Sequence, residues 1–381
     1  LALTAVHYEY EKAMKIAYIV GGLPFGGVET WLLTLHKELT SRGHEPVVIN
    51  ISGTGIFEEE YLKAGITPYH VGNSTKVLKT TRFDTTRKLR ALLKEIDPDI
   101  IHTAHFSADY HGRLASIGLG KPVVTHLRNI KIEPHFTRRF ANRLLSFATD
   151  MYLGVAQAVV DQAITPFNMA RRPSRALYNA ISLERLDAFP EVDLSDVLHG
   201  DGPVLLSVCR LVKQKNMDVL IKAFAEVKAS IPNVELLILG EGPRRQSLEE
   251  LAESLGVAES CHLAGFRPDV AGILKAVGKR QSLFVMPSDY EGFGIAPLEA
   301  FHYGIPALIS PFVPLQEVAR DAAVVCGLEP QEVAQHAMSI LSDRSRWEAM
   351  SSEAKTVAEE LSIQNHARRL LEIYEEVLEE R

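Results

Sequence analysis

Short apolar runs alternate along nearly the whole chain with longer stretches of amphipathic helical periodicity, and few folds accommodate that alternation. A helix between two apolar strands crosses back over the sheet, so the strands run parallel and lie buried on both faces. In the first half the runs are 15–20 (KIAYIV), 45–51 (EPVVINI), 99–103, 122–126 and 151–155, with helical periodicity over 29–42, 85–96, 108–119 and 137–148. In the second half they are 204–208 (VLLSV), 235–239 (ELLIL), 261–264, 283–286 and 306–309, with helices over 216–229, 244–255 and 297–302. The tail, 330–381, reads as helix throughout, rich in Glu and Ala.

At roughly 100–200 residues per domain, 381 residues correspond to two domains. The pattern breaks over 181–202, which carries Pro190 and the turn signal HGDGP, so a linker is expected there. The expected division is an N-terminal Rossmann-like domain over 14–185, a second over 186–360, and a last helix, 361–381, packing back on the first. Residues 1–13 precede the start of the pattern at Met14 and are set aside as an upstream extension. Parallel sheets place their ligand sites at the carboxyl ends of the strands. Two such domains facing across a cleft would suit a two-part substrate.

The net charge of −7 speaks against a general nucleic-acid binder. The charge is uneven: about +6 over the first 185 residues and about −13 over the rest. Cys209, Cys261 and Cys326 form no CxxC or CxxH pattern, and read as buried reduced thiols of a cytoplasmic protein. No apolar run approaches the ~20 residues of a membrane span, and no signal peptide is visible.

Three segments carry chemistry. GGLPFGGVET, 21–30, follows the first strand, and Gly26 and Gly27 there would let an anion approach backbone N–H groups at a helix N-terminus. Without a ligand, the same segment is a tight strand-to-helix turn, and it is not the GxGxxG dinucleotide fingerprint. SVCRLVKQKN, 207–216, puts Arg210 and Lys215 between a strand and a helix, where two cations could neutralise a departing diphosphate. The plain alternative is two solvated charges. PSDYEGFGIAPLEAFHYGIP, 287–306, places Glu291 in a Gly-rich loop after an apolar strand. Pro297 is expected as the first helical residue, with Glu299 in the first turn. The amides of Gly292, Phe293, Gly294 and Ile295 would lie between the two carboxylates, free for phosphate oxygens. A carboxylate accepts from two hydroxyls at once, which suits the vicinal diols of ribose or hexose. Structurally, Glu299 could equally serve only the helix dipole.

Together these segments resemble glycosyltransferase family 4, the retaining GT-B-fold enzymes. Its Glu-x7-Glu hallmark is met by Glu291 and Glu299, Arg-x4-Lys by Arg210 and Lys215, and the GGxE loop by Gly26, Gly27 and Glu29. Residues 237–257, 262–270 and 178–189 also fit, and the match covers nearly all of 15–345. The resemblance implies that Glu299 binds the nucleotide ribose and Glu291 the donor sugar's hydroxyls. It gives the diphosphate to Arg210, Lys215, Gly27 and the amides around Phe293–Ile295, and places Phe266 and Arg267 near the base. His126, in PVVTHLRN, takes the place of the family's active-site histidine. The chain departs from the pattern at Ala156, where a serine is usual, and at His102-Thr103-Ala104-His105, both of which bear on the acceptor side.

The expected reaction moves a hexosyl group from a nucleoside diphosphate sugar, a UDP-sugar by expectation, to a hydroxyl of a glycan, a lipid-linked or a small-molecule acceptor. The resemblance implies retention, with same-face attack and the leaving phosphate as base; a covalent route stays open. The alternatives are a GT-B-fold phosphorylase or epimerase, and an inactive nucleotide-sugar-binding protein. No cofactor and no metal are expected: Asp97-Pro98-Asp99 spells D-x-D, but it ends a helix and opens a strand. The loop GEGP, 240–243, lacks dinucleotide spacing. The densest basic stretch, 128–143, has Arg139 and Arg143 on one helical face beside Phe136, Phe140 and Leu144, with Arg138 adjacent. A solvated face is one reading; contact with an anionic membrane surface or a phosphorylated acceptor is the other.

Overall fold

A computed structural model gives the fold and describes residues 12–24, 26–79, 81–128, 136–164 and 172–380. Two compact units emerge. The first holds the described residues up to Val155, then Val159–Leu177 and the chain from Ala367 onward; the second holds Ala156–Ala158 and Tyr178–His366.

The first unit is built on seven parallel strands, β1 (Lys15–Val20), β2 (Glu45–Asn50), β3 (Tyr69–His70), β4 (Ile100–Ala104), β5 (Val123–Leu127), β6 (Met151–Gly154) and β7 (Ser174–Ala176). Their order across the sheet is β3-β2-β1-β4-β5-β6-β7. The second unit has β8 (Val204–Val208), β9 (Glu235–Leu239), β10 (Cys261–Leu263), β11 (Ser282–Met286), β12 (Ala307–Ile309) and β13 (Ala323–Val325), all parallel, in the order β10-β9-β8-β11-β12-β13. Both sheets therefore reverse direction of growth between the first and fourth strands, β1|β4 and β8|β11. Crossover helices leave a crevice above such a switch point, at the strands' carboxyl ends.

Continuous burial explains the apolar runs. All residues of β9 and β11 are buried, as both faces of a parallel sheet demand. Leu220, Phe224 and Val227 of the helix Met217–Ser230 pack in one core with Val333, Ala337 and Ile340 of the helix Pro330–Leu341. Each fully buried Leu, Ile, Val or Phe side chain of this kind contributes roughly 1.5–3 kcal/mol. Trp347 ties the helix Arg344–Glu360 to the sheet by donating from Nε1 to the Ser282 carbonyl at 2.7 Å.

Segment 181–202, expected as a linker, is packed against the second unit. Leu186, Leu194 and Leu198 are buried, and the Val192 amide donates to the Gly272 carbonyl at 3.3 Å. A Cβ at Gly272 would meet the Pro190 carbonyl at 2.3 Å, so the segment and the helix Val270–Val277 touch backbone to backbone. The apolar leucines, spaced among turn residues, were the overlooked sign of burial.

Candidate active site

Lys215 and Glu291 meet across the β8|β11 switch point. Lys215 ends a short 3-10 turn (Lys213–Lys215) after β8; Glu291 lies in the loop after β11, and the ammonium and carboxylate form an ion pair. The two loops are stitched along their length. The Asp289 amide donates to the Gln214 carbonyl at 2.8 Å, and Gln214 Nε2 to the Tyr290 carbonyl at 2.6 Å. Asn216 Nδ2 donates to the Pro287 carbonyl at 3.0 Å and to Asp289 Oδ1 at 2.7 Å. Asn216 has φ 50°, a left-handed conformation that Asn tolerates, and it caps the helix Met217–Ser230. Arg210 stands exposed two residues past the end of β8.

The helix carrying Glu299 runs Ile295–His302, two residues earlier than expected from Pro297. Gly294 is its N-cap at φ 111°, and Pro297 falls third in the helix, where an N–H would lack an intrahelical partner anyway. A Cβ on Gly294 would lie 2.8 Å from Val313 Cγ1, so the position requires glycine on both counts. The amides of Gly292, Phe293, Gly294 and Ile295 donate to no described protein group. Phe293 is buried and stacks at 6.1 Å from Tyr178, fixing the loop. Burial pushes the Glu299 carboxyl up to about 7, against which the nearby Arg185 guanidinium pulls it down.

The loops after β9 and β10 complete this end of the second unit. Gly240, at φ 140°, sits so near the Cys209 carbonyl that a Cβ would lie 1.8 Å from it, and its amide donates to the Gly265 carbonyl at 2.8 Å. GEGP thus braces the Arg210 loop. Phe266 is 62% exposed, and Arg267 makes a two-pronged ion pair with Asp269 at 2.8 and 2.6 Å.

In the first unit, the helix after the glycine loop runs Gly27–Ser41, with Gly26 as its N-cap. Glu29 is buried in its first turn, and Glu29 Oε2 occupies the space beside Gly26, 2.6 Å from where a Cβ would stand. His126, on β5, is fully buried: Nδ1 faces His102 Nε2 at 3.2 Å, and Nε2 faces an Arg128 NH group at 3.5 Å. The Arg128 guanidinium lies 4.0 Å over the Trp31 ring. Burial brings its pKa down to about 9 while the Glu29 carboxylate opposes this, and burial pushes Glu29 up in turn. His105, at the end of β4, has φ 81° and ψ 148°, a strained conformation for a non-glycine residue, and burial then the Arg128 charge lower its pKa to about 4. Arg128, Trp31 and Tyr374, whose hydroxyl lies 2.6 Å from His102 Nδ1, were missed in the sequence. Arg128 could have been found, because it follows His126 by two and therefore leaves the same side of the strand; Tyr374 carries no local signal.

The D-x-D segment is structural. Asp97 pairs with Lys121 at 2.8 Å, and Asp99 Oδ2 accepts from the Lys15 amide at 2.7 Å at the amino end of β1. Part of the basic stretch, 129–135, and the side chains of Phe136, Arg138 and Arg139 lie outside the described residues. Its helix runs Phe136–Leu145, with Arg143 exposed and Phe140, Leu144 and Phe147 each more than half exposed. Among the described residues no helix is long and apolar enough to cross a membrane. Burial holds the thiols of Cys209 and Cys326 up near about 11 and that of Cys261 near about 12, so none is poised as a nucleophile.

Comparison with known proteins agrees with this layout. The family described as "Glycosyl transferases group 1" matches residues 193–357, and "Glycosyltransferase Family 4" matches 25–185. The chain is 28% identical to the GDP-mannose-dependent alpha-(1-6)-phosphatidylinositol monomannoside mannosyltransferase of Mycolicibacterium smegmatis over 85% of this chain and 88% of that protein. It is 26% identical to the lipopolysaccharide core biosynthesis glycosyltransferase LpsE of Rhizobium meliloti, over 77% and 78%. Anabaena HepE, solved in complex with UDP, superposes with a TM-score of 0.80 at 20% identity, covering 95% of this chain and all of that one. A glycosyltransferase from Rickettsia africae does so at 0.80 and 18%, covering 97% and 99%. The chain belongs to the family 4 type of glycosyltransferases and is an α/β enzyme of the GT-B fold.

Proposed function

We propose that the protein transfers a hexosyl group, with retention, from a nucleoside diphosphate sugar to an acceptor hydroxyl, with the donor held by the second unit. The observation that carries this reading is the Lys215–Glu291 pair at the switch point, next to four uncommitted amides and a second carboxylate. The ammonium has three donors, so it can hold Glu291 and still meet phosphate oxygens. As the glycosidic bond breaks, the sugar gains oxocarbenium character and the phosphate gains charge. Lys215, Arg210 and the amides of Gly292–Ile295 stabilise that charge. Glu291 orients sugar hydroxyls, Glu299 in its ionised form accepts from the ribose diol, and Phe266 and Arg267 flank the base. His126 serves on the acceptor side.

Two side-chain cations and backbone amides suffice for the diphosphate in this reading, so it includes no metal and no other cofactor. A UDP-sugar is the proposed donor, since HepE is solved with UDP and with UDP-glucose; the mycobacterial relative is named for GDP-mannose, which makes a GDP-sugar the competing choice. A thermal-shift series with UDP-, GDP- and ADP-sugars decides it: at 100 times its Kd a ligand adds about 2.7 kcal/mol of stability. A shift with none of them removes the donor site. The acceptor proposed is a glycan or a lipid-linked sugar on the cytoplasmic side. The exposed Phe140, Leu144 and Phe147 beside Arg143 support a peripheral contact with an anionic membrane.

A further inference from the structure

Four buried side chains form one hydrogen-bonded line through the first unit. Tyr18 OH on β1 lies 3.0 Å from Tyr374 OH, on the helix Ile363–Glu379. The Tyr374 hydroxyl is 2.6 Å from His102 Nδ1 on β4, and His102 Nε2 is 3.2 Å from His126 Nδ1 on β5. Beyond His126 Nε2 stands the Arg128 guanidinium. All four are at most 1% exposed, so no water competes for their protons.

The line has a direction, and Arg128 sets it. A guanidinium only donates, so His126 Nε2 faces it as an unprotonated acceptor. The neutral ring then carries its proton on Nδ1 and donates to His102 Nε2. His102 in turn is protonated on Nδ1 and donates to the Tyr374 oxygen, whose O–H donates to Tyr18. Burial raises the pKa of both phenols, so the line ends on two neutral hydroxyls.

We propose that His102 and Tyr374 are positioning residues that hold His126 as its Nδ1–H tautomer and present an unprotonated Nε2 at the carboxyl end of β5. His126 thereby meets Arg128, which stands at its Nε2, as an acceptor and never as a donor. The inference rests on the role proposed above for His126. Removing the Tyr374 hydroxyl takes away the acceptor that faces His102 Nδ1 at 2.6 Å. The His102 proton then moves more readily to Nε2, which drives the His126 proton to Nε2, against the Arg128 charge.

The test is long-range ¹⁵N–¹H correlation on full-length protein labelled at histidine, with turnover measured in parallel. Wild-type His126 should be protonated on Nδ1. Tyr374→Phe and His102→Leu should shift it toward the Nε2–H form and lower kcat about tenfold or more, at little change in donor KM, as loss of a histidine's orienting partner does elsewhere. His102→Gln should restore both, because its carbonyl accepts from His126 and its amide donates to Tyr374. A purely structural glue between helix and sheet would lower Tm in all three variants and leave the His126 tautomer unchanged; that result, or an Nε2–H form in the wild type, overturns the proposal. The tautomer is read without turnover, so an enzyme inactive on every nucleotide sugar tried would sink the functional reading and leave this test standing.

Discussion

At the scale of single residues, the site pairs groups that would each be ordinary alone. Lys215 and Glu291 are 76 positions apart, and only the β8|β11 switch point joins them. Lys215→Ala should cut turnover by about 10²–10³-fold, the loss typical of one transition-state charge stabiliser. Its Tm should fall as well, because the Lys215 and Glu291 side chains are only 13% and 14% exposed and the carboxylate would lose its ion-pair partner; wild-type rates in a folded variant would remove Lys215 from the mechanism. Glu299 carries a conflict between stability and function. Its folded pKa, about 7, lies above the ordinary 4.5, so between these values the folded state keeps a proton that the unfolded state has lost. Its contribution to stability therefore falls as pH rises from about 4.5 through 7. Glu299→Gln should match wild type in Tm at pH 4 and exceed it at pH 8, while nucleotide affinity falls roughly 10- to 100-fold, the worth of one hydrogen bond to a charged group. A variant less stable than wild type at pH 8 contradicts the assignment of burial as the cause. Both carboxylates were legible in the sequence as a spaced pair. The ion pair to Lys215 was not, because spacing along the chain carries no information about which loops a sheet brings together.

Among elements, legibility followed burial. Strands β8 and β9 fall on the expected residues because both faces are buried and every position is apolar or nearly so. β3, β7 and β13 were missed: each is two or three residues long, at a sheet edge, with no fully buried residue to make a run. The helix Ile295–His302 was found but started two residues late, since Pro297 was given the first position that Gly294 actually sets up. That cap is testable. Gly294→Ala would impose a Cβ 2.8 Å from Val313 Cγ1 at φ 111°, costing more than about 1 kcal/mol. For a unit of this size each kcal/mol is roughly 2–4 °C of Tm. Nucleotide binding should weaken with it, because the four amides hang on that cap; unchanged Tm and affinity would show that the loop has room the structure denies it.

Taken whole, the chain repeats one design, a parallel sheet with its switch point between the first and fourth strands, and equips the two copies differently. The second unit gathers cations, carboxylates and open amides. The first gathers a histidine line, a half-buried Arg128 and a strained His105. The doubled architecture was readable from the alternation of runs. The return of the chain from Ala367 to the first unit delivers Tyr374 to His102 across 272 positions, beyond the reach of any local pattern. The central claim, metal-independent use of a nucleotide sugar, is tested most directly by following release of nucleoside diphosphate from UDP- and GDP-sugars in excess EDTA. The account predicts steady release by the wild type, undiminished by EDTA and reduced 10²–10³-fold in Lys215→Ala. No release from either donor, or release abolished by EDTA and restored by Mg²⁺ or Mn²⁺, would contradict it.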